Sequence, residues 1–193
     1  MQLPESLLDV GRRIADHSTK AGEPPYIVYV YRPEHEYTVR TELSDLRYWL
    51  EAKGVHCQAI SLADLFWQAL EQAGWFGPLI EQERAAANDP QALEELYGAV
   101  GEVLREEPTL PDRVIEAVDG ASENTAVFLY RAGSLYPAYR TSALLDDLRP
   151  RLRRAVTLLY PGRVVGSYGL SFMNVCEPAY GYRAHIIPRE GSQ

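Results

Sequence analysis

The apolar positions change period repeatedly along this chain, and each change marks an element. "LPESLLDVGRRIADHS" sets Leu3, Leu7, Leu8, Val10 and Ile14 at spacings that share one helical face, predicting an amphipathic helix that ends before Gly22 and the Pro24-Pro25 pair. "YIVYVY" (Tyr26–Tyr31) is then an unbroken β-branched and aromatic run between prolines, the pattern of a central strand covered on both faces. Helical period returns in "TVRTELSDLRYWLEAKG", with Leu43, Leu46, Trp49 and Leu50 as its stripe and Gly54 as its C-cap. "VHCQAIS" reads as a second strand. Ser61 or Asp64 can cap the helix "LADLFWQALEQAG", whose Leu62, Leu65, Phe66, Ala69 and Leu70 point inward. Strand, helix, strand and helix over short connections form the signature of a right-handed parallel α/β unit.

The middle changes character. Asp89-Pro90 reads as an N-cap with proline at the first helical position, opening "QALEELYGAVGEVLREE", and "PDRVIEAVDGA" follows Pro108 and Pro111 as a shorter helix. These acidic amphipathic helices predict an insertion over about 76–120, packed against the sheet. "TAVFLY" and "AVTLLYP" are the third and fourth strands, separated by the helix "SALLDDLRPRL". "RVVGSYGLSF" and "YGYRAHII" then read as two last strands joined by the turn "NVCEP", an antiparallel hairpin at the sheet edge. The expected architecture is one α/β domain spanning 1–193: three layers, a mostly parallel sheet flanked by helices, a helical insertion and a C-terminal antiparallel hairpin.

Composition narrows the classes. A hydrophobic share of 46% and a charged share of 24% suit a globular core rather than disorder. No tract approaches the ~20 apolar residues a membrane span needs. "MQLPESLLDVGRR" has acids before its basic pair and no long apolar segment, unlike a secretion signal. Cys57 and Cys176 are the only cysteines and form no C-x-x-C pair, so both read as reduced thiols of a cytoplasmic protein. A net charge of -8 and a pI near 5.1 disfavour non-specific nucleic-acid binding, which needs clustered cations. The charge is uneven, however. Carboxylates crowd Glu81 to Glu123, while "RPRLRRAVTLLYPGR" gathers Arg149, Arg151, Arg153, Arg154 and Arg163.

Few residues offer chemistry. The first strand is followed by "RPEHEY", with neither the glycines nor the lysine of a phosphate loop, and G-x-G-x-x-G is absent. A degenerate nucleotide-binding fold without its phosphate loop stays compatible with the pattern. No G-x-S-x-G elbow occurs, and Ser134 in "AGSLYP" reads as a turn residue. Glu34, His35 and Glu36, with His185, are the residues from which a metal-dependent nuclease or phosphatase would have to be built; an exposed charged turn is the plainer reading. Asp146-Asp147 and Glu94-Glu95 point about 100° apart on their helices and cannot converge on one reacting atom. The sequence therefore indicates no catalytic residue, metal or cofactor. A DNA-binding module would use the Arg149–Arg163 cluster.

What stands out is aromatic and basic. "YRAGSLYPAYR" and "LLYPGR" follow the third and fourth strands, and the carboxyl ends of parallel strands form the natural crevice of an open sheet. Tyr130, Arg131, Tyr136, Pro137, Tyr139, Arg140, Tyr160 and Arg163 are expected along that rim, with Arg183 on the last strand. Tyrosine and arginine combine contact area with polar donors and are enriched in binding hot spots.

These segments also carry a family resemblance. "VFLYRAGSLYPAYRTSALLDDL", "AVTLLYPGRVVGSYGL" and "YGYRAHII" resemble, in order, segments of the BrxB family, small accessory proteins of the BREX bacteriophage-exclusion systems of bacteria and archaea. The specific parts are a "G-x-LYP" turn followed by arginine and an "LL-x-x-L" helix, a strand ending "YPG", and a terminal "YRAH"; the early "YIVYVY" strand fits as well. "SFMNVCEPAYG" departs from the pattern. The resemblance brings no catalytic residue to transfer. It implies a non-catalytic assembly subunit that works beside an ATPase, a methyltransferase and a PglZ-type phosphatase-like protein, and associates with the PglZ-type protein or the ATPase.

Overall fold

A computed structural model describes residues 3–19 and 22–191. Helix α1 (Glu5–Ser18) leads to strand β1 (Tyr26–Tyr31), then α2 (Glu36–Glu51), β2 (His56–Ser61) and α3 (Leu62–Gln72). Helices α4 (Phe76–Ala86), α5 (Pro90–Val103) and α6 (Leu110–Ala117) intervene before β3 (Thr125–Tyr130). The chain ends with α7 (Thr141–Leu148), β4 (Val156–Val165), β5 (Gly169–Phe172) and β6 (His185–Pro188). No described helix is long and apolar enough to cross a membrane.

The sheet runs β2-β3-β4-β1-β6, parallel throughout, with β5 antiparallel on β4. The apolar run of β1 now has its reason. Ile27, Tyr29 and Tyr31 enter the core under α1 and α2, whereas Tyr26, Val28 and Val30 enter the core under the other helices. All six are buried. Helices α1 and α2 fill the first layer with Leu7, Val10, Ile14, Leu43, Leu46 and Leu50; they touch at Gly11, where a Cβ would meet Leu46 Cδ1 at 2.8 Å and the Trp49 ring at 2.9 Å.

Local signals fix the helix starts. Ser61 Oγ accepts the Asp64 N–H at 3.2 Å, which makes Ser61 the cap of α3 and frees Asp64 for another bond. Asp89 caps α5 by accepting from Gln91 and Ala92, followed by Pro90 at the first helical position. In α6, Thr109 and Asp112 form a reciprocal capping box.

The antiparallel hairpin is present, but other strands make it. "YPGRVV" continues β4 past the end of β1, turns at residues 166–168 and returns as β5, with Gly162 opposite Phe172 and Val165 opposite Gly169. The Pro-Gly pair looked like a strand end. It is tolerated because Pro161 sits beside Tyr31, the last residue of β1, where the ladder on that side stops. Gly162 is required there, since a Cβ would strike the Ser171 carbonyl oxygen on β5. The end of "YGYRAHII" forms β6, which joins β1 in parallel, Val28 beside Ile186 and Tyr29 beside Ile187. This supplies ladder partners to a strand whose backbone, buried on both faces, would otherwise lie open at the edge.

Candidate partner-binding site at the strand ends

The parallel strands deliver their carboxyl ends to one edge, where successive connections leave for opposite faces. The chain after β1 enters α2 on one side; those after β2 and β3 enter α3 and α7 on the other. Between them opens a crevice of about 320 Å³, bounded by Pro33, Tyr37, Trp67, Arg131, Ser134 and Met173.

Arg131 is the pivot of this crevice. It follows β3 directly and has φ = 58°, a left-handed conformation that costs a non-glycine residue about 1–2 kcal/mol. The surroundings hold it there. Its carbonyl accepts from Ser134 Oγ (2.9 Å) and Ser134 N–H (3.2 Å). Its guanidinium Nη1 donates to Asp64 Oδ1 at 2.9 Å and approaches Ser61 Oγ at 3.4 Å. The αL turn thus swings the side chain back onto the start of α3. Met173, with φ = 52°, closes the crevice from the hairpin, and its sulfur would lie 3.3 Å from a Cβ at Gly133.

The residues expected on this rim divide. Tyr136, in a cis peptide with Pro137, is 43% exposed and leans on Phe172 with ring centroids 6.2 Å apart. Pro137 is exposed beside it, as are Arg140, which precedes α7, and Arg163, on the extension of β4. Tyr139 and Tyr160 are not on the surface. Tyr139 is buried beneath the Arg105 guanidinium, 5.3 Å above its ring. Tyr160 is wholly buried between Phe172 (5.1 Å) and Tyr182 (6.0 Å), with burial pushing its phenol far above the usual range. A tyrosine at a strand end can plug a core as readily as rim a crevice, and here two do. Arg183 lies at the other end of the sheet, in a cleft of about 540 Å³ with Arg149 and Arg153. Arg149 stacks on the Tyr26 ring at 4.6 Å, just past the C-terminus of α7, where a cation answers the helix dipole.

The sequence-adjacent arginines are dispersed in the same way. Arg151 pairs with Asp112, and Arg154 donates to the carbonyls of Ala121 and Ser122. Arg163 lies roughly 20 Å further along β4. They form no continuous stripe for a phosphate backbone.

Nor do the metal candidates converge. His185 sits beside Ile27 near the start of β1, whereas Glu34, His35 and Glu36 follow its end, roughly 13 Å of strand away. Glu36 accepts the Tyr31 hydroxyl. Among the described residues no three of His, Cys, Asp and Glu gather as a metal site.

The sequence reading missed the aromatic half of the rim. Tyr37 is 80% exposed, Trp67 42% and Phe76 51%; Trp67 and Phe76 meet edge to face at 5.8 Å. The available signal was a tryptophan off the apolar stripe of α3.

The sequence model of the BREX protein BrxB matches residues 58–187, more than half of the chain, from β2 to β6 and including Arg131, Tyr136, Arg140 and Arg163. Comparison with curated proteins finds no match. The turn after β3 and the "YPG" strand lie within the matched range, which begins after β1, and the chain belongs to the BrxB family of BREX proteins.

Proposed function

We propose that this BREX component is a non-catalytic, cytoplasmic assembly subunit that docks a larger defence protein, the PglZ-type phosphatase-like protein or the ATPase, through the turn after β3 and the crevice beside it. One observation supports this reading above others: the exposed aromatics Tyr37 and Trp67 line the same crevice as Arg131 and Arg40, Phe76 extends that surface by meeting Trp67 edge to face, and Tyr136 stands exposed on the turn after β3. Water-exposed aromatic area next to guanidinium groups is the composition of interface hot spots. The test is co-purification of the PglZ-type protein and the ATPase with wild type, Arg131→Glu/Arg140→Glu and Trp67→Ser/Tyr136→Ser. Loss of capture by variants with unchanged circular dichroism is expected. Undiminished capture by both folded variants would remove this rim from the interface.

A further inference from the structure

Beyond the rim, a second cleft of about 410 Å³ lies on the flank of the molecule, between α2 and the outermost strand, β2. Arg40, Ser44 and Arg47 form one wall, Ala59 and Tyr130 the other. Its electrostatics are unusual for a chain of net charge -8. The Arg40 guanidinium is held between two rings, 5.9 Å from the Tyr37 centroid and 5.7 Å from that of Tyr130, and pairs with no carboxylate among the described residues. Arg47 Nε is buried with no acceptor. Buried donors are normally satisfied, so the unmatched Arg47 Nε, with the exposed guanidinium of Arg40 lining the same cleft, indicates a place for anions.

The backbone beside the cleft is unmatched too. Among the described residues β2 pairs with β3 only. Residues of a parallel strand alternate in the side to which they turn their amide groups. His56 N–H goes to the Asn124 carbonyl on the β3 side, so Cys57 and Ala59 turn theirs to the open edge. Cys57 and Ala59 are also the residues whose side chains contact the α2 layer. A strand laid against this edge would therefore send alternate side chains toward Arg40 and Arg47. These arginines stand two helical turns apart, about 10 Å along the axis. Carboxylates two or four residues apart on an extended strand are spaced about 7 or 13 Å, within the reach of the flexible arginine stems.

We infer that the β2 edge and the Arg40–Arg47 cleft bind an extended acidic peptide segment of a partner protein by strand addition. A peptide is favoured over a nucleic acid because only a polypeptide backbone can pair with the outward amide groups of Cys57 and Ala59 while its acidic side chains meet the guanidinium groups. The cleft shares Tyr37 and Arg40 with the crevice proposed above, whereas Arg47, Ala59 and Tyr130 line only the cleft and Trp67 and Arg131 only the crevice.

The experiment titrates the full chain with a fluorescent peptide of about seven residues alternating glutamate and valine. A lysine–valine peptide of the same length and an oligothymidylate of about twelve nucleotides serve as alternatives. Saturable binding of the acidic peptide is expected below about 1 mM. It should weaken at least tenfold in Arg40→Glu/Arg47→Glu and about as much in Arg40→Gln/Arg47→Gln, with slowed amide exchange at Cys57 and Ala59 in the wild-type complex. Equal binding of the lysine peptide, or affinity unchanged in the glutamine variant, would overturn the charge reading. Tighter binding of the oligonucleotide would overturn the choice of occupant. Binding that leaves Cys57 and Ala59 unprotected would overturn strand addition, and no saturable binding would overturn the whole.

Discussion

Asp112 ties the inserted helices to the turn before β4, and its removal gives a quantity that can be worked from the structure. Its Oδ2 accepts the Thr109 N–H at 2.7 Å and the Thr109 hydroxyl at 2.5 Å, while Oδ1 accepts Arg151. These bonds, Thr109's hydroxyl first, hold the carboxyl down at about 2 against an ordinary 3.8. At 1.36 kcal/mol per unit that displacement has an upper bound of about 2.5 kcal/mol. The side chains of Asp112 and Arg151 are 30% and 46% exposed, so solvent screening reduces the expected value to about 1 kcal/mol. Asp112→Asn should lose that amount at neutral pH, and Asp112→Ala about 2 kcal/mol, since the capping box goes as well. The sign follows from the direction. A carboxyl depressed in the folded state contributes fully above about pH 4 and loses its contribution as pH falls toward about 2. Denaturant midpoints of wild type and Asp112→Asn should therefore converge as pH drops through that window. A double-mutant cycle with Arg151→Gln isolates the ion pair from the box. Equal stability of Asp112→Asn and wild type at neutral pH, or a gap unchanged by acid, would refute the reasoning.

Three further outcomes are expected. Gly162→Ala should destabilise by about 3 kcal/mol or more, because the new methyl meets the Ser171 carbonyl and, at 2.7 Å, the Tyr160 ring; amide exchange at β5 should accelerate first. Glu42 receives both Nε (3.2 Å) and Nη2 (2.7 Å) of Arg189, with both side chains largely buried, so Glu42→Ala should lower stability by about 3 kcal/mol and loosen β6, seen as exchange at Ile186 and Ile187. Burial pushes the Cys57 thiol up to about 11, so its alkylation should stay slow at neutral pH and accelerate through pH 10, and the acidic peptide should slow it further; rapid alkylation at neutral pH would contradict the packing.

How far the sequence announced this structure depends on the distance over which each signal acts. The strands "YIVYVY" and "TAVFLY" and the stripes of α2 and α3 declare themselves because burial imposes their period residue by residue. The caps read at Ser61 and Asp89 are equally local, as is the Thr109 capping box that the sequence reading passed over. The hairpin was given to the wrong pair because "YPG" carries the local marks of a strand end, and only the place where β1 stops allows β4 to continue. Tyr139 and Tyr160 were expected outside because phenol groups suit both environments; whether a hydroxyl reaches water depends on neighbours such as Phe172 and Tyr182, far off in sequence. The crevice itself was legible from the alternation of strands and helices. Its rim was half legible, since Tyr37, Trp67 and Arg131 meet only through chain crossings that no short window contains. Arg149 to Arg163 show the converse, neighbours in sequence that the strand separates.

The state of the polar groups at the crevice bears on what it can do. A general base needs a free lone pair beside the reacting proton, and a nucleophile needs a base beside it. Here Asp64 accepts Arg131, Ser134 gives its proton to the Arg131 carbonyl, and Glu36 accepts the Tyr31 hydroxyl through Oε2, its Oε1 being buried without a partner among the described residues and with no nucleophile hydrogen-bonded to it. Burial raises the Tyr31 phenol, with Glu36 adding to the effect, so that hydroxyl stays protonated as a donor. What remains turned outward is ring surface on Tyr37, Trp67 and Tyr136 and the guanidinium of Arg40. Those groups suit the contact surface proposed above, since each gains most where water is displaced. Because Arg40 also walls the flank cleft, a partner lying across α2 could engage the crevice with its aromatic-binding part and β2 with an acidic strand. Linked in one partner, two weak contacts would multiply, since the second forms at the high effective concentration set by the first.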